Sequence, residues 1–401
     1  MMKLLFYEPD HNGHHFPYLA RMLPGFIDPR FELCLATKPS ALASDQYERF
    51  LKPFEQHLTL YPECAEFKGS SIRTAAHRAR EIRQLQRRHN IQHTFVAYAD
   101  GVWQILAARA FLGLAWSARR GTLEGILYRG GFTYPGDESF GKRIKRYLFK
   151  RMCIKGIFDR LLLDDEYLYD FSHCFAQRSK TRCELAVNPV ELFDISRDAA
   201  RADLKIESGR RVISLSGMID ERKGADRLVR AFVEASRGPD NGTVLVLAGP
   251  HKPIIRSLLQ DPMVRPFVES KRIYSLDRLL DERDMFRVAA ASDLVTAPYP
   301  NHSGRSSIVL WAAAAGRPVL GTDRGCIARI IEGERLGWTC NVLDNSEFSH
   351  HLVEAIDKPW DESDQARATD YARWHTISNY QKLNAEYVYT KYGRSPSKIE
   401  D

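Results

Sequence analysis

Apolar residues collect along this chain in short runs, most of them four to seven residues long, separated by stretches with helical spacing. The runs predict strands at Lys3–Glu8, Phe31–Lys38, His57–Tyr61, His93–Tyr98, Gly125–Arg129 and Arg160–Asp164. Further strands are predicted at Arg211–Ser216, Thr243–Ala248, Arg272–Ser275, Leu294–Ala297 and Pro318–Thr322. Helical spacing appears in Tyr18, Leu19, Met22 and Leu23, in Arg73–Arg88, in Gly141–Lys155, and in Leu228, Val229, Phe232 and Val233. Strands that read as nearly continuous apolar runs and alternate with helices belong to parallel sheets covered on both faces. Eleven strands are many for one sheet, so the pattern predicts two sheets in two α/β domains.

The boundary is expected near Asn188-Pro189, ahead of the polar stretch Asp194–Arg210 that closes on Ser208-Gly209. The expected parts are residues 1–188, residues 189–370, and a C-terminal segment 371–401 whose aromatic residues (Trp374, Tyr380, Tyr387, Tyr389, Tyr392) suit interface packing. The tail Gly393–Asp401 reads as frayed. The most apolar long stretch, Phe95–Ala115, is broken by Asp100, Gln104 and Arg109, and Leu4–Glu8 is too short for a signal-peptide core. The seven cysteines are scattered with no C-x-x-C, which points to reduced thiols in a cytoplasmic protein. No D-x-D pair occurs, so a carboxylate-held divalent metal has no evident seat.

Charge changes the picture in one half only. Residues 1–190 hold 28 Lys and Arg against 20 Asp and Glu, and residues 191–401 hold 30 against 31. Within the basic half, Lys142, Arg143, Lys145, Arg146, Lys150, Arg151 and Lys155 follow one another with no acid between them, interleaved with Ile144, Tyr147, Leu148, Met152 and Ile154. This is a basic amphipathic helix, open to two readings. It packs its apolar side on the core, or it lies on an anionic membrane surface. A nucleic-acid partner is not expected, because no docking motif accompanies the charge.

In open α/β sheets ligands bind beyond the carboxyl ends of the strands. Three loops there carry unusual content. The first strand runs into Asp10-His11-Asn12-Gly13-His14-His15 ahead of a helix, where a helix N-terminus and Gly13 favour close approach of an anion or sugar oxygen. The strand Arg211–Ser216 runs into Gly217–Gly224, with Lys223 a candidate phosphate partner. The strand Leu294–Ala297 runs into Asn301-His302-Ser303-Gly304-Arg305-Ser306-Ser307 ahead of the small-residue helix Trp311–Gly316, a candidate cradle for a diphosphate. Asp100 and Arg129 follow the fourth and fifth strands.

The order Gly217–Gly224, Leu247–Pro250, Ala290–Asp293 and Ala312–Val319 resembles the C-terminal half of a GT-B glycosyltransferase of the retaining family four, grouped as glycosyl transferases group 1. The resemblance covers about residues 185–345 and is looser before that. It implies two Rossmann-like domains facing a central cleft, the first binding the acceptor and the second a nucleotide sugar, without metal or other cofactor. On that basis Lys223, Arg305 and His14 are expected to act in catalysis. Gly217, Lys223, Asn301, His302, Ser303, Gly304, Ser306 and Ser307 are expected to hold the donor. Asn12, Gly13, His15, Asp100 and Arg129 are expected on the acceptor side. The implied activity is metal-free transfer of a sugar to a carbohydrate or lipid-linked hydroxyl with retention, in polysaccharide or glycoconjugate synthesis, in the cytoplasm or peripheral at the inner face of the membrane. The chain departs from the family at three places. Met218 takes the position of an arginine that contacts the donor diphosphate, and Ser303 and Trp311 take the positions of two glutamates. Those departures keep a second reading open, a catalytically silent GT-B protein that binds a sugar nucleotide or partners an active transferase. A third is a sugar-nucleotide epimerase, with Asp10, Asp100 and Asp323 as its available carboxylates.

Overall fold

The computed structural model describes residues 1–66, 71–112, 121–136, 138–236 and 240–393. The tail expected to fray, beyond Gly393, and the end of the Phe95–Ala115 stretch lie outside the described residues.

The chain divides into two units, one of residues 1–189 and 377–401 and one of residues 190–376. The first is built on a parallel sheet of β1 (Met2–Tyr7), β2 (Phe31–Ala36), β3 (Leu58–Tyr61), β4 (His93–Val96), β5 (Thr122–Leu127), β6 (Arg160–Leu163) and β7 (Arg182–Leu185), in the order β3-β2-β1-β4-β5-β6-β7. The second is built on β8 (Arg211–Ser216), β9 (Thr243–Ala248), β10 (Ile273–Leu276), β11 (Leu294–Ala297), β12 (Val319–Thr322) and β13 (Gly337–Cys340), in the order β10-β9-β8-β11-β12-β13. Each unit is a Rossmann-like parallel sheet. The helices used below are α1 (His15–Met22), α2 (Ser71–Arg88), α3 (Trp103–Phe111), α4 (Phe140–Lys155), α5 (Ala225–Ala235), α6 (Ser307–Ala314), α7 (Glu362–Trp374) and α8 (Ile377–Tyr392).

Two strands are added to the eleven expected, β7 and β13, and both lie at sheet edges. Their residues are mostly half-exposed, so neither needs the apolar run by which buried strands announce themselves. The strand expected at Gly125–Arg129 begins at Thr122. Glu124 interrupts its apolar pattern, yet that side chain is fully buried. Of the C-terminal segment expected from residue 371, Tyr371 and Trp374 lie on α7 in the second unit, while α8 belongs to the first and buries Tyr380 and Tyr389 in its core.

The reason Glu124 can be inside is Arg160 on the neighbouring strand β6. This guanidinium is 1% exposed and lies 3.2 Å from Glu124 and 2.6 Å from Glu184 of β7. It also donates to the carbonyls of Leu383 (2.6 Å) and Asn384 (3.4 Å) on α8. One buried cation therefore ties three strands to the returning helix. Burial pushes the Glu124 carboxyl up to about 8 against the pull of Arg160. Beside it, burial pushes His93 down to about 3, and the neutral ring has Nδ1 2.7 Å from Thr122 Oγ1. Removing one partner of such a buried group leaves the others uncompensated, at about 3–5 kcal/mol. Arg160→Met is expected to lower unfolding free energy by about that amount, measured by urea denaturation, with α8 the first segment to lose amide-exchange protection.

Candidate functional site

In both sheets the order reverses at the first strand: β1 lies between β2 and β4, and β8 between β9 and β11. Those are the topological switch points, where the connections leave in opposite directions and open a crevice at the carboxyl ends. The loop of three histidines follows β1, and the Lys223 loop follows β8. The Asn301–Ser307 loop follows β11, the strand on the other side of the second switch point.

In the second unit the two loops are locked against each other. Asp220 caps the turn by accepting from the Lys223 N–H at 2.9 Å. Gly224 has φ 73°, and a Cβ there would run into the Pro298 carbonyl of the β11 loop. Lys223 is 7% exposed and its Nζ donates to the Ser216 carbonyl at 2.8 Å, under the backbone of Gly217, where any side chain would strike that Nζ. Its ammonium is thus not held out toward solvent, as a plain phosphate contact would be. It sits as a fixed charge beneath the turn, 5.9 Å from the ring of Tyr299. Burial, and after it the charge of Arg222, push it down to about 8.

Tyr299 is the residue whose importance the sequence concealed. Its buried hydroxyl accepts from Ser306 Oγ at 2.8 Å, its ring lies 5.1 Å from that of His302, and the Arg222 guanidinium stands 5.8 Å over it. Ser306 also caps α6 by accepting from the Ile308 N–H at 3.4 Å. His302 Nε2 is 3.0 Å from the Arg305 carbonyl, and burial lowers its basicity. The Ser303 carbonyl accepts from Cys326 N–H at 3.0 Å, which brings in the loop after β12. Asn301, Ser303 and Ser307 are exposed, and Gly304 and Arg305 are half-buried. The structure therefore brings Lys223, Arg222, His302, Ser306 and Arg305 to one pair of loops ahead of the α6 N-terminus. Arg222 was legible only as the neighbour of Lys223, and nothing in the loop after β11 marked Tyr299 as the partner of Ser306. Of the departing positions, Met218 is 39% exposed at the turn and Trp311 is 7% exposed in the core of α6.

In the first unit, Glu8 at the end of β1 is 1% exposed and lies 2.9 Å from His15 Nδ1. Burial lowers the basicity of His15, but the hydrogen bond and charge of Glu8 more than restore it. Asp10 accepts from Lys38 Nζ at 2.8 Å and Arg78 of α2 at 2.5 Å. Burial raises its carboxyl, and the two cations outweigh this and leave it below its ordinary value. Gly13 has φ 68°, and a Cβ there would meet nothing within 4 Å, so the turn and not close packing demands glycine. Asn12 and His14 are exposed, with the His14 ring 5.2 Å from Tyr18. Asp100 uses both oxygens on the N–H groups of Tyr128 (2.8 Å) and Arg129 (3.0 Å), and burial pushes it up to about 6. The Arg129 side chain is exposed at that loop. Asp10 is held by cations, Asp100 by backbone, and Asp323 lies 3.4 Å from Arg324. Among the described residues no group of three His, Cys, Asp or Glu converges as a metal site.

Comparison with known proteins agrees with this geometry. Residues 209–358 match the family described as glycosyl transferases group 1. The D-inositol 3-phosphate glycosyltransferase of Nocardia farcinica (strain IFM 10152) is 31% identical over 161 residues, 39% of this chain and 35% of that protein. That of Rhodococcus erythropolis (strain PR4 / NBRC 100887) is 28% identical over 168 residues, 41% and 37%. The matched stretch thus spans about a third of the length of these curated relatives. Among solved structures, Anabaena Alr3699/HepE in complex with UDP superimposes with a TM-score of 0.64 at 15% identity, over 97% of this chain and all of that one. WaaG, a glycosyltransferase involved in lipopolysaccharide biosynthesis, gives 0.59 at 14%, over 98% and 100%. The fold is that of the GT-B glycosyltransferases. The resemblance to glycosyl transferases group 1 holds over residues 209–358 of the second unit, where the two locked loops lie.

An anion placed on the Gly217–Met218 backbone stabilises the charged form of Lys223, so binding takes up a proton wherever the free amine is neutral. Between pH 7 and 8, above the second ionisation of a terminal phosphate, the affinity for a nucleoside diphosphate is expected to change little. Above pH 8 the affinity falls, approaching about tenfold per pH unit. Calorimetry from pH 7 upward checks this, and the dependence is expected to vanish in Lys223→Ala.

Proposed function

We propose that this protein is a glycosyltransferase that moves a sugar from a nucleotide-diphosphate donor to an acceptor hydroxyl, with retention and without a metal. The observation that carries the reading is the pair of loops locked across the β8/β11 switch point, within the residues that match the group 1 family. The backbone of Ser303–Ser307 and the hydroxyls of Ser303 and Ser307 offer donors to the diphosphate at the α6 N-terminus. Lys223 beneath the turn, with Arg222 and Arg305, supplies positive charge for the leaving group in a partly desolvated place. Gly217, Asn301 and His302 complete the donor side. Asn12, Gly13, His14, His15 and Arg129 are assigned to acceptor or donor contacts in the first unit, and Asp100 to shaping its loop. Anabaena Alr3699/HepE is solved with UDP, with UDP and glucose, and with UDP-glucose, which supports a nucleotide-sugar partner here. The acceptor is a carbohydrate or lipid-linked hydroxyl of glycoconjugate or polysaccharide synthesis.

A second reading keeps the binding and drops the chemistry. Trp311 buried in α6 and Met218 open at the turn favour it, since neither reproduces the polar groups of the family pattern. Titration with UDP, GDP, ADP and TDP, and with their sugars, separates the two. One nucleotide is expected to bind, at least about tenfold more weakly in Lys223→Ala (about 1.4 kcal/mol), and its sugar is expected to be hydrolysed slowly without acceptor. Binding with no hydrolysis or transfer selects the silent protein. Binding of none overturns both.

Met218→Arg restores a cation at an exposed position of the turn. It is expected to tighten diphosphate binding about tenfold, near the lower end of a charged hydrogen bond, ~1.5–3 kcal/mol, measured in the same titration.

A further inference from the structure

The helix α4 has two apolar faces. Phe149, Met152 and Cys153 are buried in the core of the first unit, with Leu148 and Ile154 packed against it. That inner face already satisfies the ordinary reason for apolar residues on a surface helix. Yet Phe140 is 77% exposed, Ile144 42% and Tyr147 50%. At 3.6 residues per turn these three fall within an arc of about 60°, forming one outward ridge. The end of α3 extends it. Phe111 is 53% and Leu112 66% exposed, and the Phe111 ring meets that of Tyr147 edge-on at 6.0 Å. Four large side chains on two helices and a fifth just beyond make a contiguous apolar patch, and such patches on a folded protein mark a contact surface.

The surroundings of the ridge decide what it contacts. From Gly141 to Lys155 the helix carries seven cations and no acid. Arg143, Lys145 and Lys155 are exposed, and Arg146 pairs with Glu138 just before the helix. An apolar ridge flanked by cations complements a surface that is apolar below and anionic above, as the headgroup region of a charged bilayer is. A hydrophobic protein partner leaves those cations unmatched, and a second copy of the same face sets them against each other. No helix among the described residues is long and apolar enough to cross a membrane, so contact here is with the surface.

We propose that Phe111, Leu112, Phe140, Ile144 and Tyr147 form a docking ridge for an anionic lipid surface, with Arg143, Lys145 and Lys155 meeting the headgroups. The ridge extends the glycosyltransferase reading by naming where the acceptor is met, but its own failure is separable from that reading, because nucleotide binding is measured on the same protein. The full chain is sedimented with phosphatidylcholine vesicles and with vesicles of phosphatidylcholine and phosphatidylglycerol. Binding is expected to the second only, weakening with salt. Replacing Phe140, Ile144 and Tyr147 together with Ser is expected to weaken it about tenfold or more, and Arg143→Gln or Lys155→Gln about fivefold each. Melting temperature and nucleotide affinity are expected to stay unchanged, since all five positions are exposed and lie on the first unit. No binding to the anionic vesicles, equal binding to neutral ones, or a triple variant that binds like the parent overturns the proposal. So does a concentration-dependent dimer that disappears in the triple variant, which would make a second copy the occupant.

Discussion

A fully buried arginine holds the first unit in its chain order. Arg160 reaches two carboxylates on its neighbouring strands and two carbonyls on α8, a helix more than 200 residues later in sequence. A guanidinium can do this because it presents five donors in one plane and stays charged when buried. Its burial is tolerable only with all those acceptors in place. The second unit is thereby inserted between parts of the first. The chain leaves the first unit after Pro189 and comes back to it at Ile377. Where it does so, the Val190 N–H donates to the His375 carbonyl at 2.8 Å, so the outgoing and incoming segments run side by side.

The second unit depends on a different kind of constraint, a close approach of backbones. Gly224 against the Pro298 carbonyl and Gly325 against Ser303 draw the loops after β8, β11 and β12 into one surface. Lys223 then has nowhere to go but under the turn. Its inward hydrogen bond and lowered basicity follow from that packing. A charge fixed in this way needs no reorganisation when an anion arrives, which is the physical advantage of a preorganised site over a flexible surface lysine. The three departures from the family pattern fit the same frame. Met218 lies where the turn is open, Ser303 has its carbonyl engaged with Cys326, and Trp311 is part of the core. Each changes what the loops offer without loosening how they are held.

The strands with buried faces were legible as apolar runs, and Arg211–Ser216, Thr243–Ala248 and Leu294–Ala297 were read to the residue. From strand–helix alternation followed the parallel sheets, and from the sheets the place where ligands bind. The loops after β1, β8 and β11 are therefore marked by the sequence itself. The edge strands β7 and β13 were not legible, because Arg182-Cys183-Glu184-Leu185 and Gly337-Trp338-Thr339-Cys340 mix polar and apolar residues and carry no continuous apolar run. Nor was β5 in its full extent, since a buried Glu124 reads as a surface residue until its Arg160 partner is known.

What the sequence determined by itself was periodicity, charge and loop content, which are local quantities. Burial pattern sets strand and helix, and the run of cations without acids sets the character of α4. Tertiary structure alone decided which of two chemically plausible directions a side chain takes. Lys223 turned inward to Ser216, Asp100 spent itself on the backbone of Tyr128 and Arg129, and Asp10 was claimed by Lys38 and Arg78. The apolar residues of α4 split into a core face and an exposed ridge. The physical reason is common to all four. A polar or apolar group is assigned by the partners it meets, and those partners come from strands and helices distant in sequence, brought together only when the sheets form.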